Sequence, residues 1–370
     1  MLMKVAHLTS VHMRYDTRVF FKMCSSLSDH GHDIALVVAG GLGDENKNGV
    51  KIMDVGEAIG NRVTRIFASS RKVLEQAIKL DADIYHAHDP ELLPACIKLK
   101  RMGKTVIFDA HEDFPKQLLA KPYLNWFSRR ILSLAATIYE RFACKQLDAI
   151  ITATPSIRAK FAAINSSLVV INNYPILGEL GVGGKAIGGG NRTIVYVGGI
   201  SRVRGISPLI DSLSETRDVR LDLIGNFSEK EFENTIRCKA NWPKVNYHGF
   251  LGREEVASCL SASIAGMVTL LETPNHIESQ PNKMFEYMSA GLPVIASKFP
   301  LWQEIIEGND CGICVDPENP AEIAAAINRL ASNPAEAERL GHNGKSAVER
   351  VYNWAPEEGK LLELYTSLVK

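Results

Sequence analysis

The sequence has no excess of charge of either sign, because 42 lysines and arginines balance 42 aspartates and glutamates over 370 residues. A general nucleic-acid-binding protein carries a basic excess, so this class is not expected. Long hydrophobic runs are also missing, and none approaches the ~20 apolar residues of a membrane-spanning helix. Met1–Leu8 leads directly into a strand-like segment, without a signal peptide's long apolar core or cleavage site. We therefore expect a cytoplasmic protein.

Cysteine is scarce as well. The seven cysteines are scattered and odd in number, which favours a reducing compartment over a disulfide framework. Cys311 and Cys314 form the one close pair, and no second pair completes a zinc site. We expect both to be structural.

Short apolar runs alternate with stretches of helical spacing, which is the pattern of a parallel sheet wrapped by helices. The strands predicted in the first half are Val5–Leu8, Ile34–Val38, Val63–Phe67, Ile84–Ala87, Val106–Phe108, Ile150–Ala153 and Leu168–Ile171. Those of the second half are Ile194–Val197, Leu221–Ile224, Val245–His248, Ile264–Leu270, Val294–Ala296 and Ile313–Val315. The predicted class is α/β, with two doubly wound, Rossmann-like parallel-sheet domains.

The predicted domains are 1–175 and 193–350, because a chain of 370 residues exceeds the usual size of a single core. A glycine-rich linker, 176–192, joins them, and the tail, 351–370, is expected to form a helix that crosses back to the first domain. A ligand shared by two such domains should bind at the carboxyl ends of their strands, across a cleft.

Glu278 and Glu286 are separated by seven residues around a predicted helix start. Pro281 suits the first helical position and Gly291 the end, before the strand at 294–296. The two carboxylates therefore straddle helix amides that bind anions. If both were helical they would lie about 12 Å apart. A nucleoside diphosphate sugar, with hydroxyls at both ends and phosphates between, fits this arrangement.

A second motif, Gly198-Gly199, follows the strand at 194–197 and precedes a helix predicted near Ile206–Leu213. Glycines at such a turn let the backbone approach phosphate, and the helix directs its amides at it. Arg202 and Arg204 add positive charge there, and Lys283 is a further phosphate candidate. The alternative for all three cations is that they are simply solvated.

These motifs resemble those of the retaining glycosyltransferases of family 4 (glycosyl transferases group 1), which have the GT-B fold. The match includes Glu278, Glu286 and Gly291-Leu-Pro293-Val294. It implies that Glu286 holds the ribose hydroxyls and that Glu278 lies near the donor sugar and the reacting centre. A helix cap with a solvated first-turn glutamate is the alternative.

The sequence departs from the family at the phosphate clamp, which is usually a Gly-Arg pair followed by Lys-Gly. Here Gly199 stands in the arginine's place and Arg204-Gly205 replaces Lys-Gly. Arg204 is the better assignment, because a guanidinium grips phosphate with two hydrogen bonds. Arg202 is the candidate to replace the missing charge.

In the first half, His111 follows the strand at 106–108, and the resemblance implies a place near the sugar hydroxyls. Asp16 and Arg18 resemble a family Asp-x-Arg pair and are acceptor-side candidates, with helix capping as the alternative. His86 and His88 point the same way along their strand. That spacing suggests a metal, but no third ligand is evident and the resemblance implies none. We expect no metal and no cofactor.

Residues 98–145 carry ten lysines and arginines against four acidic residues, a local charge of +6. Within them an amphipathic helix is predicted from the spacing of Leu124, Phe127, Ile131, Leu134 and Ile138. Basic charge beside apolar side chains suits peripheral contact with anionic lipids at the inner face of the cytoplasmic membrane. Packing of the apolar stripe on a core is the alternative.

The function that these observations predict is transfer of a sugar from a UDP- or GDP-sugar donor to a saccharide or polyprenyl-linked acceptor, in assembly of capsule, lipopolysaccharide or another cell-surface polysaccharide. A nucleotide-sugar 2-epimerase of the same fold and a non-catalytic GT-B partner subunit are the alternatives. The base, the sugar and the acceptor stay open.

Overall fold

The structure is a computed structural model that describes residues 2–57, 62–119, 125–180 and 192–368. The chain divides into two compact units. Unit 1 comprises Met1–Asn173 with Trp354–Lys370, and unit 2 comprises Tyr174–Asn353. Most of the predicted linker, 181–191, lies outside the described residues.

Unit 1 is built on an eight-stranded sheet in the order β3-β4-β2-β1-β5-β6-β7-β8. All neighbours are parallel except β3 and β4, which pair antiparallel. The strand order reverses between β1 and β5, the place where doubly wound sheets bind ligands. The strands are β1 Lys4–Leu8, β2 Asp33–Val38, β3 Glu45–Lys47, β4 Val50–Asp54, β5 Ile84–Ala87, β6 Thr105–Ala110, β7 Ala149–Thr152 and β8 Leu168–Val170.

Helices connect these strands. They are a π-helix Thr17–Cys24, α1 Ser25–Asp29, α2 Arg62–Leu80, a 3₁₀ turn Pro90–Leu92, α3 Leu93–Arg101, α4 Phe114–Leu119, α5 Trp126–Cys144 and α6 Pro155–Phe161. Side-chain caps fix several starts: Asn125 accepts from the Ser128 amide at 2.8 Å, and Thr154 accepts from the Ile157 amide at 3.2 Å. Such caps satisfy amides that have no partner inside the helix.

The predicted strand Val63–Phe67 is wrong, because these residues belong to the first turns of α2. The helical period becomes visible only further along, where Val73 and Ala77, four residues apart, are fully buried. Phe67 is instead 72% exposed. The short strands β3 and β4 were not predicted.

Unit 2 is a six-stranded sheet in the order β11-β10-β9-β12-β13-β14, parallel throughout. This is the strand order of dinucleotide-binding folds, and it reverses between β9 and β12. Buried aliphatic side chains cover both faces of the sheet. The strands are β9 Thr193–Val197, β10 Arg220–Ile224, β11 Val245–Gly249, β12 Ala265–Val268, β13 Val294–Ser297 and β14 Gly312–Val315.

Three of the unit 2 helices start at a proline, a residue suited to the first turn because its missing N–H needs no partner there. The helices are α7 Ile206–Ser212, α8 Lys230–Arg237, α9 Arg253–Ser261, α10 Asn282–Ser289, α11 Pro300–Ile306, α12 Pro320–Ser332 and α13 Pro334–Arg350. Short 3₁₀ turns span Arg202–Arg204, Leu213–Glu215 and Trp242–Lys244.

The last helix, α14 Trp354–Leu368, belongs to unit 1. Its Trp354 indole donates to Ser26 Oγ at 2.9 Å, and Glu357 accepts from the Asn172 amide at 2.8 Å. Leu361 and Tyr365 are fully buried. Among the described residues, no helix is both long and apolar enough to cross a membrane.

Candidate functional site

The glycine turn of unit 2 follows β9 at the point where the strand order reverses. The Tyr196 hydroxyl donates to the Gly199 carbonyl at 2.8 Å, and the Val197 amide donates to the Tyr287 hydroxyl at 2.8 Å. Gly198 has φ +129°, and a Cβ there would lie 2.9 Å from Lys283 Nζ. Only glycine therefore leaves the ammonium group its place beside the turn.

Lys283 and Arg204 are the cations that meet at this turn. Lys283 is 9% exposed and its Nζ lies 3.8 Å from the centre of the Tyr196 ring. Burial, and then the nearby Arg204, hold the pKa of Lys283 well below its usual value. Among the described residues, neither cation forms an ion pair with a carboxylate. A bound anion would relieve the repulsion between them.

Gly205 brings Arg204 to this position by ending the 3₁₀ turn in a left-handed conformation, φ +70°. A Cβ there would lie 1.7 Å from the Thr269 carbonyl oxygen, so the backbone approach requires glycine. Arg202 is exposed, and its guanidinium lies over the Phe232 ring, 5.3 Å from the ring centre.

Helix α10 begins at Asn282, so Pro281 lies immediately before the helix rather than at its first position. Lys283 and Glu286 are both on this helix. Glu286 accepts a hydrogen bond from Arg253 Nη1 at 2.8 Å, and Arg253 also pairs with Glu179 at 2.8 Å. Sequence reasoning missed Arg253 and Glu179, since nothing in their own segments indicates a contact with α10.

Glu278 is exposed in the turn that precedes α10. The turn is held by the His276 amide, which donates to the Thr273 carbonyl at 2.9 Å, and by the Trp302 indole, which donates to the Ser279 carbonyl at 2.7 Å. Glu278 and Glu286 therefore lie on either side of the start of α10, as the sequence predicted.

Unit 1 contains a cavity of about 710 Å³ at the carboxyl ends of β1, β5 and β6. Loop residues after these strands line it, including Ser10 and His12 after β1, Asp89 and Glu91 after β5, and His111 after β6. A pocket of this size and polarity, at the reversal of strand order, suits a small polyhydroxylated ligand.

His12 and Asp89 form an ion pair in the cavity wall, with Nδ1 2.8 Å from Oδ1. Burial opposes the charge on each partner, but the hydrogen bond and charge of Asp89 outweigh it and raise the pKa of His12 to about 9. In return His12 lowers the pKa of Asp89 to about 2 despite its burial. Glu91, beside the pair, has a pKa raised by burial and then by Asp89.

His111 is half-buried, and its Nδ1 lies 3.2 Å from the Asp109 carbonyl oxygen. Its ring centre is 5.1 Å from that of His12. Behind it, the Arg18 guanidinium donates to both oxygens of Asp109, at 2.8 and 2.7 Å. Burial would raise the pKa of Asp109, but the charge of Arg18 holds it well below its usual value.

The acceptor-side candidates Asp16 and Arg18 are therefore both engaged within the protein. Asp16 Oδ1 accepts from the amides of Arg18 and Val19, each at 2.8 Å, which caps the π-helix. Arg18 is 5% exposed and also donates to the Ile171 carbonyl at 2.9 Å. The capping alternative is the one that the structure supports for Asp16.

His86 and His88 have a neighbour that sequence reasoning did not associate with them. His7, on β1, pairs with His86 in the sheet register, and its ring centre lies 4.8 Å from that of His86 and 5.2 Å from that of His88. All three are fully buried. No third ligand was evident in the sequence, because the β1–β5 contact joins segments far apart in sequence.

Two family models match the chain, the first over residues 17–174, "Glycosyltransferase Family 4", and the second over 184–347, "Glycosyl transferases group 1". The spore coat protein SA of Bacillus subtilis is 26% identical over 235 residues, which are 57% of this chain and 60% of that protein. In the alignments with this relative and with two others, the matched stretch spans 44 to 60% of the relative's own length.

Solved structures match over almost the whole chain. Sucrose-phosphate synthase from Thermosynechococcus elongatus superposes with a TM-score of 0.80 at 17% identity, over 99% of each chain. HepE from Anabaena in complex with UDP-glucose has a TM-score of 0.75 at 15% identity, over 99% of this chain and 100% of its own.

Two Rossmann-like units of this topology define the GT-B class of fold. Within that class, the chain belongs to the family 4, or group 1, glycosyltransferases, whose two models together match both units.

Proposed function

We propose that the protein is a retaining glycosyltransferase, which moves a sugar from a nucleoside diphosphate sugar to an acceptor hydroxyl. The observation that carries this proposal is the convergence of Lys283, Arg204 and the Gly198 turn beside the start of α10. Burial and the charge of Arg204 disfavour the charged form of Lys283, and the negative charge of a bound diphosphate would favour it.

Each donor-site residue has a role that follows from its place. Glu286, held by Arg253, would accept hydrogen bonds from the ribose hydroxyls, because its carboxylate is fixed in orientation and keeps free lone pairs. Glu278, on the other side of the helix start, would lie near the donor sugar and the reacting centre. HepE, which shares the fold, binds UDP-glucose.

The chemistry replaces the bond between the anomeric carbon and the phosphate oxygen, through an oxocarbenium-like state. Negative charge then grows on the departing diphosphate, where Lys283, Arg204 and the α10 amides would stabilise it. These groups would neutralise the charge of the departing diphosphate, which a bound metal ion could otherwise do, so we propose metal-independent transfer. Attack from the face of the leaving group, with the phosphate taking the acceptor proton, would retain the anomeric configuration.

Unit 1 would bind the acceptor. Its cavity has His111, His12, Ser10 and Glu91 in the wall, which together offer hydrogen-bond donors and acceptors to sugar hydroxyls. We propose a saccharide or polyprenyl-linked acceptor of cell-surface polysaccharide assembly. His111 would contact the sugar hydroxyls near the reacting centre.

We also propose that α5 binds the anionic inner face of the cytoplasmic membrane. Only Glu140, Ala143 and Cys144 of its 19 residues are buried. The exposed side chains include Trp126, Phe127, Ile131, Leu132, Leu134, Ile138, Tyr139 and Phe142. Arg130 lies against the Trp126 ring, 4.4 Å from its centre, so positive charge accompanies the apolar face.

Calorimetry with UDP, GDP and their common sugars tests the donor site directly. We expect one of the two nucleotides to bind, and Arg204→Met to weaken it by about tenfold to a hundredfold, since a charged hydrogen bond contributes about 1.5–3 kcal/mol. Arg202→Met, which removes a cation stacked on Phe232, is the matched control and should matter less. Absence of binding to every nucleotide, in protein that unfolds cooperatively, would refute the proposal.

A transfer assay tests the reacting centre. Glu278→Gln should abolish sugar transfer and leave nucleotide binding intact, because Glu278 is assigned to the sugar rather than to the nucleotide. EDTA should leave wild-type transfer unchanged. Epimerised donor, formed without an acceptor, would favour the 2-epimerase instead.

A further inference from the structure

Four buried side chains of unit 1 take no part in the reaction proposed above, although one of them, His88, lies in the wall of its cavity. They are His7 on β1, His86 and His88 at the end of β5, and Tyr365 on α14, and each has no exposed surface. The carboxylate of Asp109, at the end of β6, lies next to His88.

These groups form one continuous chain of hydrogen bonds. His86 Nδ1 lies 2.8 Å from the Tyr365 hydroxyl, which lies 3.4 Å from His7 Nε2. His7 Nδ1 lies 2.9 Å from His88 Nε2, and His88 Nδ1 lies 3.2 Å from Asp109 Oδ2. The chain thus runs from the C-terminal helix to the strand end behind His111.

Asp109 determines which group donates and which accepts in each hydrogen bond of this chain. Asp109 is ionised because the charge of Arg18 outweighs the effect of burial on its pKa, so its oxygens only accept. His88 must therefore donate from Nδ1. Burial lowers the pKa of all three histidines, which are neutral and carry one ring proton each.

With one proton per ring, each step determines the next. His88 Nε2 is bare and accepts from His7 Nδ1–H, and His7 Nε2 is then bare and accepts from the Tyr365 hydroxyl. The hydroxyl oxygen in turn accepts from His86 Nδ1–H. All three imidazoles are thus protonated at Nδ1, and among the described residues His86 Nε2 alone in this chain has no partner.

We propose that this chain positions Asp109, and that Tyr365 is a positioning residue through which α14 acts on the acceptor side of unit 1. Asp109 is the group on which the arrangement converges: it holds Arg18 with both oxygens, and its Oδ2 lies 3.7 Å from His111 Nδ1. The expected effect on sugar transfer rests on the proposed function, whereas the assignment of protons to the histidine nitrogens does not.

A metal ion is the competing occupant, since ligand atoms of the three histidines lie within 4.8 Å of one another. The hydrogen-bond chain accounts for more of the geometry. It gives five of the six ring nitrogens a hydrogen-bond partner, whereas a metal ion would use one nitrogen of each ring.

Tyr365→Phe in the full-length protein tests the proposal, because it removes one hydroxyl and keeps the buried ring. Tyr85→Phe is the matched control. Tyr85 is 1% exposed in the same unit, and its hydroxyl also makes two hydrogen bonds, with the Ala82 amide at 2.9 Å and the Ala77 carbonyl at 3.1 Å. Both variants lose a buried hydroxyl, but only the Tyr365 hydroxyl belongs to the hydrogen-bond chain.

Long-range ¹H–¹⁵N spectra of histidine-labelled protein report which ring nitrogen is protonated. We expect Nδ1 protonation of His7, His86 and His88 in the wild type. In Tyr365→Phe, His86 Nδ1 and His7 Nε2 lose their partner, so the spectra of these two rings should change, whereas His88 should stay protonated at Nδ1 because Asp109 accepts from it. Tyr85→Phe should leave all three spectra unchanged. Nε2 protonation of His7 or His88 in the wild type, unchanged His7 and His86 spectra in Tyr365→Phe, or stoichiometric zinc in the purified protein, would overturn the proposal.

In the transfer assay, Tyr365→Phe should lower kcat by about tenfold, because small displacements of groups at a reacting centre slow the reaction strongly, with the KM for the donor unchanged because the donor site is in unit 2. Wild-type kcat in this variant would contradict the positioning role. If the protein transfers no sugar at all, only the proposed function is refuted. The spectra still test the proton positions in the hydrogen-bond chain.

Discussion

At the scale of single residues, Lys283 is unusual because it is buried beside another cation and an aromatic ring. The nearby carboxylate of Glu286 favours the charged form of Lys283, but Glu286 forms its ion pair with Arg253. Burial and Arg204 lower the pKa of Lys283 in the free protein. A bound diphosphate would favour the charged form and raise the pKa again. Nucleotide binding should therefore be coupled to proton uptake.

We predict that UDP or GDP binding takes up to one proton at alkaline pH, above the pKa of Lys283 in the free protein. Below that pKa the amine is already charged, and uptake should vanish. Calorimetry in buffers of different ionisation enthalpy measures the protons taken up. Lys283→Met should abolish the uptake and weaken binding by about tenfold or more. Arg202→Met should keep the uptake, and its loss there would contradict the assignment to Lys283.

The His12–Asp89 pair makes the stability of unit 1 depend on pH. The folded-state pKa of His12 is raised from 6.5 to about 9, so its contribution is fully present below about pH 6.5 and is lost as pH rises through 9. That of Asp89 is lowered from 3.8 to about 2, so its contribution is lost only in acid.

We predict that the free energy of unfolding of the wild type falls by up to about 3 kcal/mol between pH 6.5 and 9.5, relative to His12→Asn. Denaturant titrations of both proteins across this range measure the difference. A difference that stays constant with pH would show that His12 is not charged in the folded protein.

Residues near each other in sequence were the ones whose relative positions could be predicted. The spacing of Glu278 and Glu286 around a proline and a glycine was enough to place them about the start of α10. The contacts of Arg253 with Glu286, and of His7 with His88, join segments 33 and 81 residues apart. A single sequence carries no signal for such pairs, because the fold brings them together.

At the scale of helices and strands, the buried parallel strands were predictable because each is a short apolar run between turn residues. The error at Val63–Phe67 has the same origin: an apolar run at the start of a helix looks like a strand until the helical period develops. The edge strand β3 escaped prediction because Glu45–Lys47 is short and polar.

Helix α5 was predictable as an amphipathic helix, but its environment was not. Leu124, part of that prediction, lies outside the described residues. In the structure Phe127, Ile131 and Leu134 are 67, 50 and 63% exposed, so the apolar stripe does not pack on the core of unit 1. Exposed apolar side chains in such a cluster mark an interaction surface.

We predict that the protein floats with vesicles of anionic lipid and not with phosphatidylcholine alone, and that about 0.5 M salt weakens the binding. The triple variant Phe127→Ser, Ile131→Ser and Leu134→Ser should bind at least about tenfold more weakly, since each side chain buries apolar surface in the bilayer. Phe67→Ser, at a residue 72% exposed on α2, is the control and should bind normally. Equal binding by the triple variant would exclude α5 as the contact.

At the scale of the whole molecule, the chain is two units with separate cores, and α14 completes the first of them. The glycosyltransferase proposal gives each unit one substrate, so a donor nucleotide should stabilise unit 2 by mass action. Damage to α14 should instead weaken unit 1, although α14 follows unit 2 in sequence.

We therefore predict that Leu361→Ala and Leu340→Ala, which truncate buried leucines of α14 and α13, act on different units. Each should cost about 2–5 kcal/mol. In calorimetry, Leu361→Ala should lower a transition that the donor nucleotide does not shift, while Leu340→Ala should lower the transition that the nucleotide raises. Nucleotide affinity should survive Leu361→Ala at temperatures where unit 2 is folded. If both variants lowered one nucleotide-sensitive transition equally, the two cores would unfold as a single cooperative body, and α14 would act on donor binding as well as on unit 1.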